Sequence, residues 1–181
     1  MKNTKAQMEM SVGTIVTIVL LVTLLILGVV LIKNIFTSAK GVVDLTDQQL
    51  KSEIGKLFGD DKEIVIYPST RFIEIKQGTS DGVGLGIKNL GNSEDTYSYS
   101  TRAEAGKNCP SSFTEQKALD LIILGETGAG IALESGGFTY KIIKFEIPTG
   151  TPLCTIRYGV SISSANDRKF DESFDVTIKA K

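Results

Sequence analysis

The two cysteines, Cys109 and Cys154, are the residues of this chain whose chemistry is easiest to anticipate. Neither belongs to a CxxC pair, so the spacing typical of a zinc site is missing. Two isolated cysteines in a domain outside the cytoplasm usually form a disulfide, which here would close a long loop. The alternative is a pair of free, buried thiols. We expect the disulfide.

The sequence offers few candidate residues for acid–base catalysis or for metal binding. Histidine, the commonest general base and metal ligand, is absent. Serines and threonines are plentiful but have no histidine to activate them, and no local motif proposes a Ser–Lys pair. Two acidic clusters lack EF-hand spacing and are typical of solvated surface. They are Asp60, Asp61 and Glu63, and Asp171, Glu172 and Asp175. We therefore expect no catalytic residue, no metal ion and no cofactor.

Two glycine-rich stretches share only composition with phosphate-binding loops. Residues 82–86 lack the GK[ST] ending of such a loop and open no helix. Residues 125–130 follow a predicted helix and precede a predicted strand, which reverses the order found in dinucleotide-binding units. We interpret the first stretch as a glycine-rich strand or bulge and the second as a turn.

The element that must position the rest of the chain is the uncharged apolar run over residues 10–32. At about 1.5 Å per residue, a helix of this length spans roughly 35 Å, enough to cross a bilayer core of about 30 Å. Its threonine hydroxyls can bond back to the preceding turn. A cleaved secretory signal is the alternative, but the run is too long for one. We expect a retained transmembrane helix over residues 10–36, with the lipid bilayer as its partner.

The apolar run divides the chain into four parts. Residues 1–9 are a basic leader, 10–36 the apolar helix, 37–62 a polar exit with an amphipathic helix, and 63–181 a β domain. The formal net charge of −1 gives no reason to expect a nucleic-acid partner. Because lysines on the two sides of the helix nearly balance, they do not fix its orientation. The expected disulfide does, and it predicts a cytoplasmic N-terminus and an extracytoplasmic β domain.

A short motif, Lys5-Ala6-Gln7, stands just before the apolar run: a basic residue, a small residue and a glutamine. This motif resembles the class III signal peptide of archaeal type IV pilin-like proteins. The layout of the chain also resembles archaeal pilins and archaellins throughout, with a leader, an apolar helix, a polar helical extension and a β domain. The leader and helix are similar as well to a group of archaeal membrane-anchored proteins without an assigned function.

This resemblance implies processing and assembly. A prepilin-type peptidase would cut between Ala6 and Gln7 on the cytoplasmic side, and the apolar helix would stay on the mature subunit. Glu9 would then be the third residue of the mature chain, whereas many type IV pilins carry their glutamate at the fifth position. In a filament the apolar helices would self-associate as a shared core. There the carboxylate of Glu9 would need a partner, and the mature N-terminal amine is the natural one.

A second, amphipathic helix is predicted after the apolar run. Thr46 and Gln49 have the spacing of a capping box. One apolar face follows, made of Leu50, Ile54, Leu57 and Phe58. This helix either packs on its own domain or pairs with neighbouring subunits as the lower half of a long pilin-like helix. Gly41 would allow a break between the two helices.

From residue 63 the hydrophobic period changes to two, which is typical of half-buried strands. The predicted inward sets are Ile73 and Ile75; Val83, Leu85 and Ile87; Tyr97 and Tyr99; Cys154, Ile156, Tyr158, Val160 and Ile162; and Phe174, Val176 and Ile178. A short helix is predicted over residues 114–124. About eight strands with turns between them favour an antiparallel, immunoglobulin-like β-sandwich.

Residues 138–147 are apolar on both faces of the predicted strand. Each face carries three such side chains: Phe138, Tyr140 and Ile142 on one, and Ile143, Phe145 and Ile147 on the other. A sandwich strand buries only one face, so we expect a bulge or a change of sheet near residues 142–143.

These features favour a non-enzymatic, pilin-like surface protein, a subunit of an extracellular filament or of a membrane-anchored surface structure. The alternative is a monomeric, single-pass membrane-anchored module whose sandwich loops bind a ligand or another envelope protein. An enzyme is a third hypothesis, which the lack of histidine and of any catalytic constellation disfavours.

Overall fold

The computed structural model describes residues 4–37, 42, 45–59, 61–104, 106 and 108–181, with the backbone alone over 4–12 and 31–37. Gly41 and Asp60, named above, lie outside the described residues. The chain divides into two compact units, Met1–Ala39 and Lys40–Lys181. Each unit is described by itself below.

The first unit contains one long helix. α1 spans Thr4–Thr37 and includes the whole predicted apolar segment. Two of its threonines donate to carbonyl oxygens in the preceding turn: Thr17 Oγ1 to Gly13 O at 2.8 Å, and Thr23 Oγ1 to Leu20 O at 2.8 Å. Both hydroxyls therefore have a hydrogen-bond partner within the helix, as predicted for a helix in an apolar environment.

The second unit is a two-sheet β-sandwich with two short helices, α2 (Asp47–Leu57) and α3 (Glu115–Leu119). Its strands are β1 Ile64–Tyr67, β2 Phe72–Lys76, β3 Thr79–Lys88, β4 Asp95–Glu104, β5 Ile122–Leu124, β6 Thr127–Leu133, β7 Phe138–Ile147, β8 Thr155–Ser164 and β9 Lys169–Lys179. The first sheet has the order β1-β3-β7-β5, and the second has the order β2-β9-β8-β4-β6. The predicted immunoglobulin-like sandwich is confirmed. Its described strand pairs are antiparallel except β2 and β9, which run parallel.

The main core lies between the two sheets, and it contains the side chains predicted to point inward from β2, β3, β4, β8 and β9. Three aromatic rings pack at its centre, with centroids 4.8 Å apart for Phe145 and Tyr158 and 5.6 Å apart for Tyr158 and Phe174. Such pairs contribute about 0.5–1.5 kcal/mol beyond area burial. The hydroxyl of Tyr158 donates to Ala118 O of α3 at 2.7 Å, and burial raises the pKa of this phenol. The core is therefore continuous from the sheets to α3.

The start of α2 has the capping box that the sequence predicts. Gln49 N donates to Thr46 Oγ1 at 3.4 Å, and Thr46 N donates to Gln49 Oε1 at 3.1 Å. The two bonds satisfy backbone donors that would otherwise lack a partner at the helix N-terminus. Leu50 and Ile54 then fall on one side of the helix and are buried.

That side of α2 packs on the outer face of the first sheet, where β3 carries glycines. A Cβ on Gly86 would lie 2.5 Å from Ile54 Cγ2, and a Cβ on Gly84 would lie 2.7 Å from Ile54 Cδ1. Only glycine leaves room for this contact. The glycine-rich strand predicted for residues 82–86 is confirmed, and α2 packs on its own domain.

The bulge predicted near residues 142–143 is wrong. β7 pairs with β3 in unbroken register from Phe138 to Ile147. Its two apolar faces are both covered, because Ile143, Phe145 and Ile147 enter the main core while the other face packs in the α2 cluster. A helix on the outside of the sheet explains the double pattern without any irregularity in β7.

Two further predictions fail around β5 and β6. The helix predicted over residues 114–124 ends at Leu119, and Ile122–Leu124 form β5. Thr114 does cap α3, since its side chain accepts from Lys117 N. The turn predicted over residues 125–130 is confined to its start, because β6 begins at Thr127. Gly125 supplies the tight reversal with a φ of +79°.

The glycine face of β3 gives a stability prediction. Gly86→Ala would place a methyl group against Ile54, Val65 and Phe58, so the free energy of unfolding should fall by about 1–3 kcal/mol. The matched control is Gly55→Ala in α2, whose Cβ would meet only Phe138 Cζ at 3.6 Å. That change should raise stability by about 0.5–1 kcal/mol, since alanine is the better helix former. Urea unfolding of both variants measures the difference, and equal stabilities would contradict the packing described.

Candidate functional site

α1 presents an apolar surface without cover from other described residues. The 18 residues Gly13–Val30 have a mean hydropathy of 2.8, and none of them is buried. Leu25, for example, is 67% exposed. By length and composition this helix can cross a membrane, and a signal sequence near the N-terminus meets the same criteria. Apolar surface of this extent is typical of a helix that is surrounded by lipid or by other apolar groups.

The predicted leader and assembly residues lie at the start of α1. Lys5, Ala6, Gln7 and Glu9 are all part of this helix. Their side chains fall outside the described part of the chain. Cleavage after Ala6 and pairing of Glu9 with a mature amine therefore stay predictions.

The disulfide predicted between Cys109 and Cys154 is present, with the two Cα atoms 5.0 Å apart. Cys154 is buried just before β8, and Cys109 packs against the main core from the loop after β4. Gly106 brings this loop against β8, because a Cβ there would overlap Thr155 O at 1.5 Å. The disulfide thus holds the loop onto the end of the sandwich.

The segment that follows the disulfide closes this end of the core. Phe113, Ala118 and Leu121 are buried in the main core. Thr114 caps α3, which brings the carbonyl of Ala118 to the hydroxyl of Tyr158. One covalent bond, one buried hydrogen bond and three apolar side chains therefore fix the segment.

The second predicted acidic cluster lies on β9, and each of its carboxylates is paired with an arginine. The pairs are Arg102–Asp171 at 3.3 Å, Arg71–Glu172 at 2.7 Å and Arg157–Asp175 at 2.8 Å. Hydrogen bonds from Ser161 and then Arg102 lower the pKa of Asp171. Within the described residues, no group of three or more Cys, Asp or Glu side chains is placed to hold a metal ion. Because water screens exposed ion pairs, these pairs contribute little to stability.

A partly buried polar network that the sequence pattern does not predict surrounds Arg168, in the turn between β8 and β9. Its Nη2 donates to Asp95 Oδ2 at 2.9 Å and to Tyr97 Oη at 2.7 Å, and its Nη1 donates to Glu63. The hydrogen bond from Arg168 is the main cause that lowers the pKa of Asp95 to about 2. Asp95 and Tyr97 come from β4, Glu63 directly precedes β1, and Arg168 lies in a turn 73 residues after Asp95. No local spacing in the sequence could have revealed them.

Two open grooves lie on the sandwich. One, of about 560 Å³, is lined by small polar side chains of the second sheet, including Ser98, Ser100, Ser161 and Ser163. The other, of about 660 Å³, lies beside Arg168 and has both charged and apolar walls, including Lys62, Arg71, Leu90 and Phe170. In the first groove the hydroxyl of Ser161 donates to Asp171 Oδ1 at 2.6 Å.

No protein-family model and no curated protein matches this chain. Several solved structures are similar to parts of this chain. A PapD-like domain of human CEP192 is similar over 66% of this chain and 85% of its own length, at 14% identity and a TM-score of 0.41. The CARDB domain of a Pyrococcus furiosus protein, in complex with di-metal ions, covers 59% of this chain and 79% of its own, at 11% identity and a TM-score of 0.40.

A third similar structure is the periplasmic chaperone SfaE. It matches over 65% of this chain and 57% of its own length, at 8% identity and a TM-score of 0.42. At identities of 8–14% and TM-scores of 0.40–0.42, these likenesses carry no argument about this chain.

The disulfide should account for a large part of the sandwich's stability. It closes a sequence separation of 45 residues, and the chain-entropy model gives about 4 kcal/mol for a loop of that length. The double variant Cys109→Ser with Cys154→Ser should therefore unfold at much lower urea concentration than the parent. Ser111→Ala, in the exposed part of the same loop, is the control. An unchanged midpoint in the double variant would mean that Phe113, Ala118 and Leu121 hold the segment alone.

The Arg168 network predicts an acid-sensitive part of the stability. Because the pKa of Asp95 is lowered from 3.8 to about 2, its contribution is present above about pH 4 and is lost as the pH falls towards 2. Asp95→Asn should have a lower free energy of unfolding than the parent at pH 7. The difference in the free energy of unfolding should decrease as the pH falls from about 4 to 2. Glu134→Gln, an exposed carboxylate between β6 and β7, is the control. A gap that stays constant with pH would contradict the assignment.

Proposed function

We propose that this chain is a pilin-like surface protein without enzymatic activity, which α1 anchors in a membrane. In this proposal it is a subunit of an extracellular filament or of a membrane-anchored surface structure, and subunits associate through α1. The observation that carries the proposal is the combination of an apolar helix with exposed side chains and a sandwich closed by a disulfide.

The disulfide supports a location outside the cytoplasm for the sandwich. Structural disulfides persist in oxidising compartments and are rare where thiols are kept reduced. With α1 across the bilayer, the N-terminus then lies in the cytoplasm. The motif Lys5-Ala6-Gln7 would meet a prepilin-type peptidase on that side.

Assembly through α1 follows from the energetics of its surface. A helix that leaves the bilayer must bury its side chains against other helices, at about 1.5–3 kcal/mol for each large apolar side chain. Leu24, Leu25 and Leu27 are each more than 60% exposed and are available for such contacts. The proposed filament therefore has an apolar helical core, and the sandwiches carry its outer surface.

The grooves beside Arg168 and on the second sheet favour a second candidate, a monomeric anchored module that binds a ligand with the sandwich. Their volumes of about 560 and 660 Å³ lie within the range of small-molecule sites. This candidate requires the anchor but neither cleavage nor self-association.

The test of the pilin-like proposal is processing by the peptidase. The full chain is co-expressed in membranes with an archaeal prepilin-type peptidase, and intact mass gives the N-terminus. We expect a mature chain that begins at Gln7. Ala6→Phe should block the cut, because the family's motif has a small residue there, whereas the control Asn3→Ala should be cut normally. A chain that keeps Met1 while a known prepilin is cut in the same membranes would favour the monomeric module instead.

A further inference from the structure

The second sheet of the sandwich has two free edges, β2 and β6. In the strand order β2-β9-β8-β4-β6, each of these strands has one described neighbour. The edge strands of the first sheet are shorter, with four residues in β1 and three in β5. β6 has seven residues without a charge or a proline, two features that usually protect an edge from pairing. A further strand can therefore add to the sheet at β6.

The directions of β2 and β6 decide how a second copy could extend this sheet. β2 is parallel to β9, and the three remaining pairs across the sheet are antiparallel, so β2 and β6 run in opposite directions. A second copy that continues the sheet with its core face on the same side keeps the directions of all its strands. Its β2 would then lie beside β6 of the first copy, and the new pair would be antiparallel.

β6 has a bulge that a new partner strand has to match. Ile131 and Gly128 are the register partners of Tyr97 and Tyr99 in β4, so two residues of β6 oppose one residue of β4 between them. Five residues of a partner strand therefore match the six residues 127–132. β2 has five residues.

In this register the buried and exposed faces of the two strands coincide. Phe72 lies opposite Ala132, and Ile73 lies opposite Ile131. Ile73 and Ile131 are both buried in the main core of the sandwich, so the core would continue from one copy to the next. Phe72 is 37% exposed, and the small, exposed Ala132 leaves room for its ring.

The charges at the ends of the two edges are complementary. Lys76 ends β2 and Glu126 directly precedes β6, whereas Arg71 directly precedes β2 and Glu134 directly follows β6. Antiparallel pairing of β2 with β6 brings Lys76 towards Glu126 and Arg71 towards Glu134. Among the described residues, Lys76, Glu126 and Glu134 have no ion-pair partner.

Pairing of like edges lacks this complementarity. Two antiparallel β6 strands would bring Glu126 of one copy towards Glu134 of the other. Two antiparallel β2 strands, centred on each other, would place Glu74 opposite Glu74. Like charges that lie opposite each other destabilise a strand pair. The charges therefore favour β2 over β6 as the partner of β6.

We propose that the sandwiches of successive copies join head to tail, with β6 of one copy paired to β2 of the next; this inference deepens the proposed filament and rests on it. Because the two edges lie at opposite ends of one sheet, each copy can pair at both, and the contact propagates instead of closing as a dimer. β5 lies on the same side as β6, since only residues 125–126 separate the two strands. Its Ile123 and Leu124, 50% and 59% exposed, are on the side that the next copy covers.

Cysteines at facing positions test this contact. Residues directly opposite in an antiparallel pair have Cα atoms about 4.5–5.5 Å apart, within the range of about 4.4–6.8 Å of a disulfide. The full-length double variant Phe72→Cys with Ala132→Cys is co-expressed with the prepilin-type peptidase, and its membranes are mildly oxidised. We expect a ladder of dimers, trimers and larger oligomers on a non-reducing gel, linked between residues 72 and 132. The control Leu153→Cys with Ala132→Cys should give no ladder, although Leu153 is 56% exposed.

Charge reversal in the double-cysteine background adds a readout that a general loss of stability would not reproduce. Glu126→Lys should lower the yield of cross-linked product about two- to fivefold, because it places a cation near Lys76. Lys76→Glu should lower the yield similarly, and the two reversals together should restore it. A yield that stays low in the combined variant would contradict the proposed pairing.

Two further results would overturn the inference. Dimers formed by Ala132→Cys alone or by Phe72→Cys alone would show that like edges pair. A double variant that keeps its Cys109–Cys154 bond but gives no ladder would show that the two edges do not meet. The N-terminus of the same chains separates this failure from that of the proposed function. A chain that begins at Gln7 and gives no ladder retains the pilin-like proposal and loses only the contact between sandwiches.

Discussion

The packing of α2 on the glycine face of β3 is the contact on which the rest of the molecule depends. The first sheet is apolar on both sides, so without α2 it would expose Val65, Phe138, Tyr140 and Ile142 to water. Gly84 and Gly86 let the helix approach the backbone of β3 closely enough to bury Ile54 completely. The cluster also includes Val42, so the sandwich begins soon after the end of α1. The same contact thus completes the sandwich and fixes the point at which the chain enters it.

The outer faces of the two sheets differ in their cover and in their polarity. The first sheet is covered by a helix, whereas the outer face of the second carries serines and arginine–carboxylate pairs. A solvated outer face is common in antiparallel sheets and needs no cover. The proposed function uses this asymmetry, because the polar sheet suits the water-exposed surface of a filament or anchored module. Among the described residues, most of the large exposed apolar side chains belong to α1.

Many helices and strands of this fold are predictable from short sequence patterns, because interactions between residues close in the sequence determine them. The capping residues Thr46 and Gln49 and the alternation in β8 act over a few residues, and the sequence predicts both correctly. The pattern of β7 indicates only that both faces of the strand are covered, and it does not show what covers them, because α2 lies far away in the chain. The sequence does not distinguish β5 from a continuation of α3, because three apolar residues fit the period of a helix and that of a strand equally well.

The candidate sites likewise divide into those that the sequence predicts and those that depend on tertiary contacts. The pairing of Cys109 with Cys154 was predictable, since a chain with two cysteines allows one disulfide. The network around Arg168 was not, because Asp95 and Glu63 reach it only through the tertiary fold. The sequence predicts that the glycines of β3 lie in a strand or a bulge. It does not predict that they make room for α2, because that contact forms only in the tertiary fold.

The most direct test of the proposed placement is protease protection in the native membrane. The chain is probed in sealed, right-side-out vesicles with an external protease, and the fragments are identified by mass. An extracytoplasmic sandwich should be cut from its anchor near residues 38–46 in intact vesicles, and its Cys109–Cys154 bond should remain oxidised. Protection of the whole sandwich until the vesicles are lysed, together with free thiols at both cysteines, would place it in the cytoplasm and contradict the proposed function.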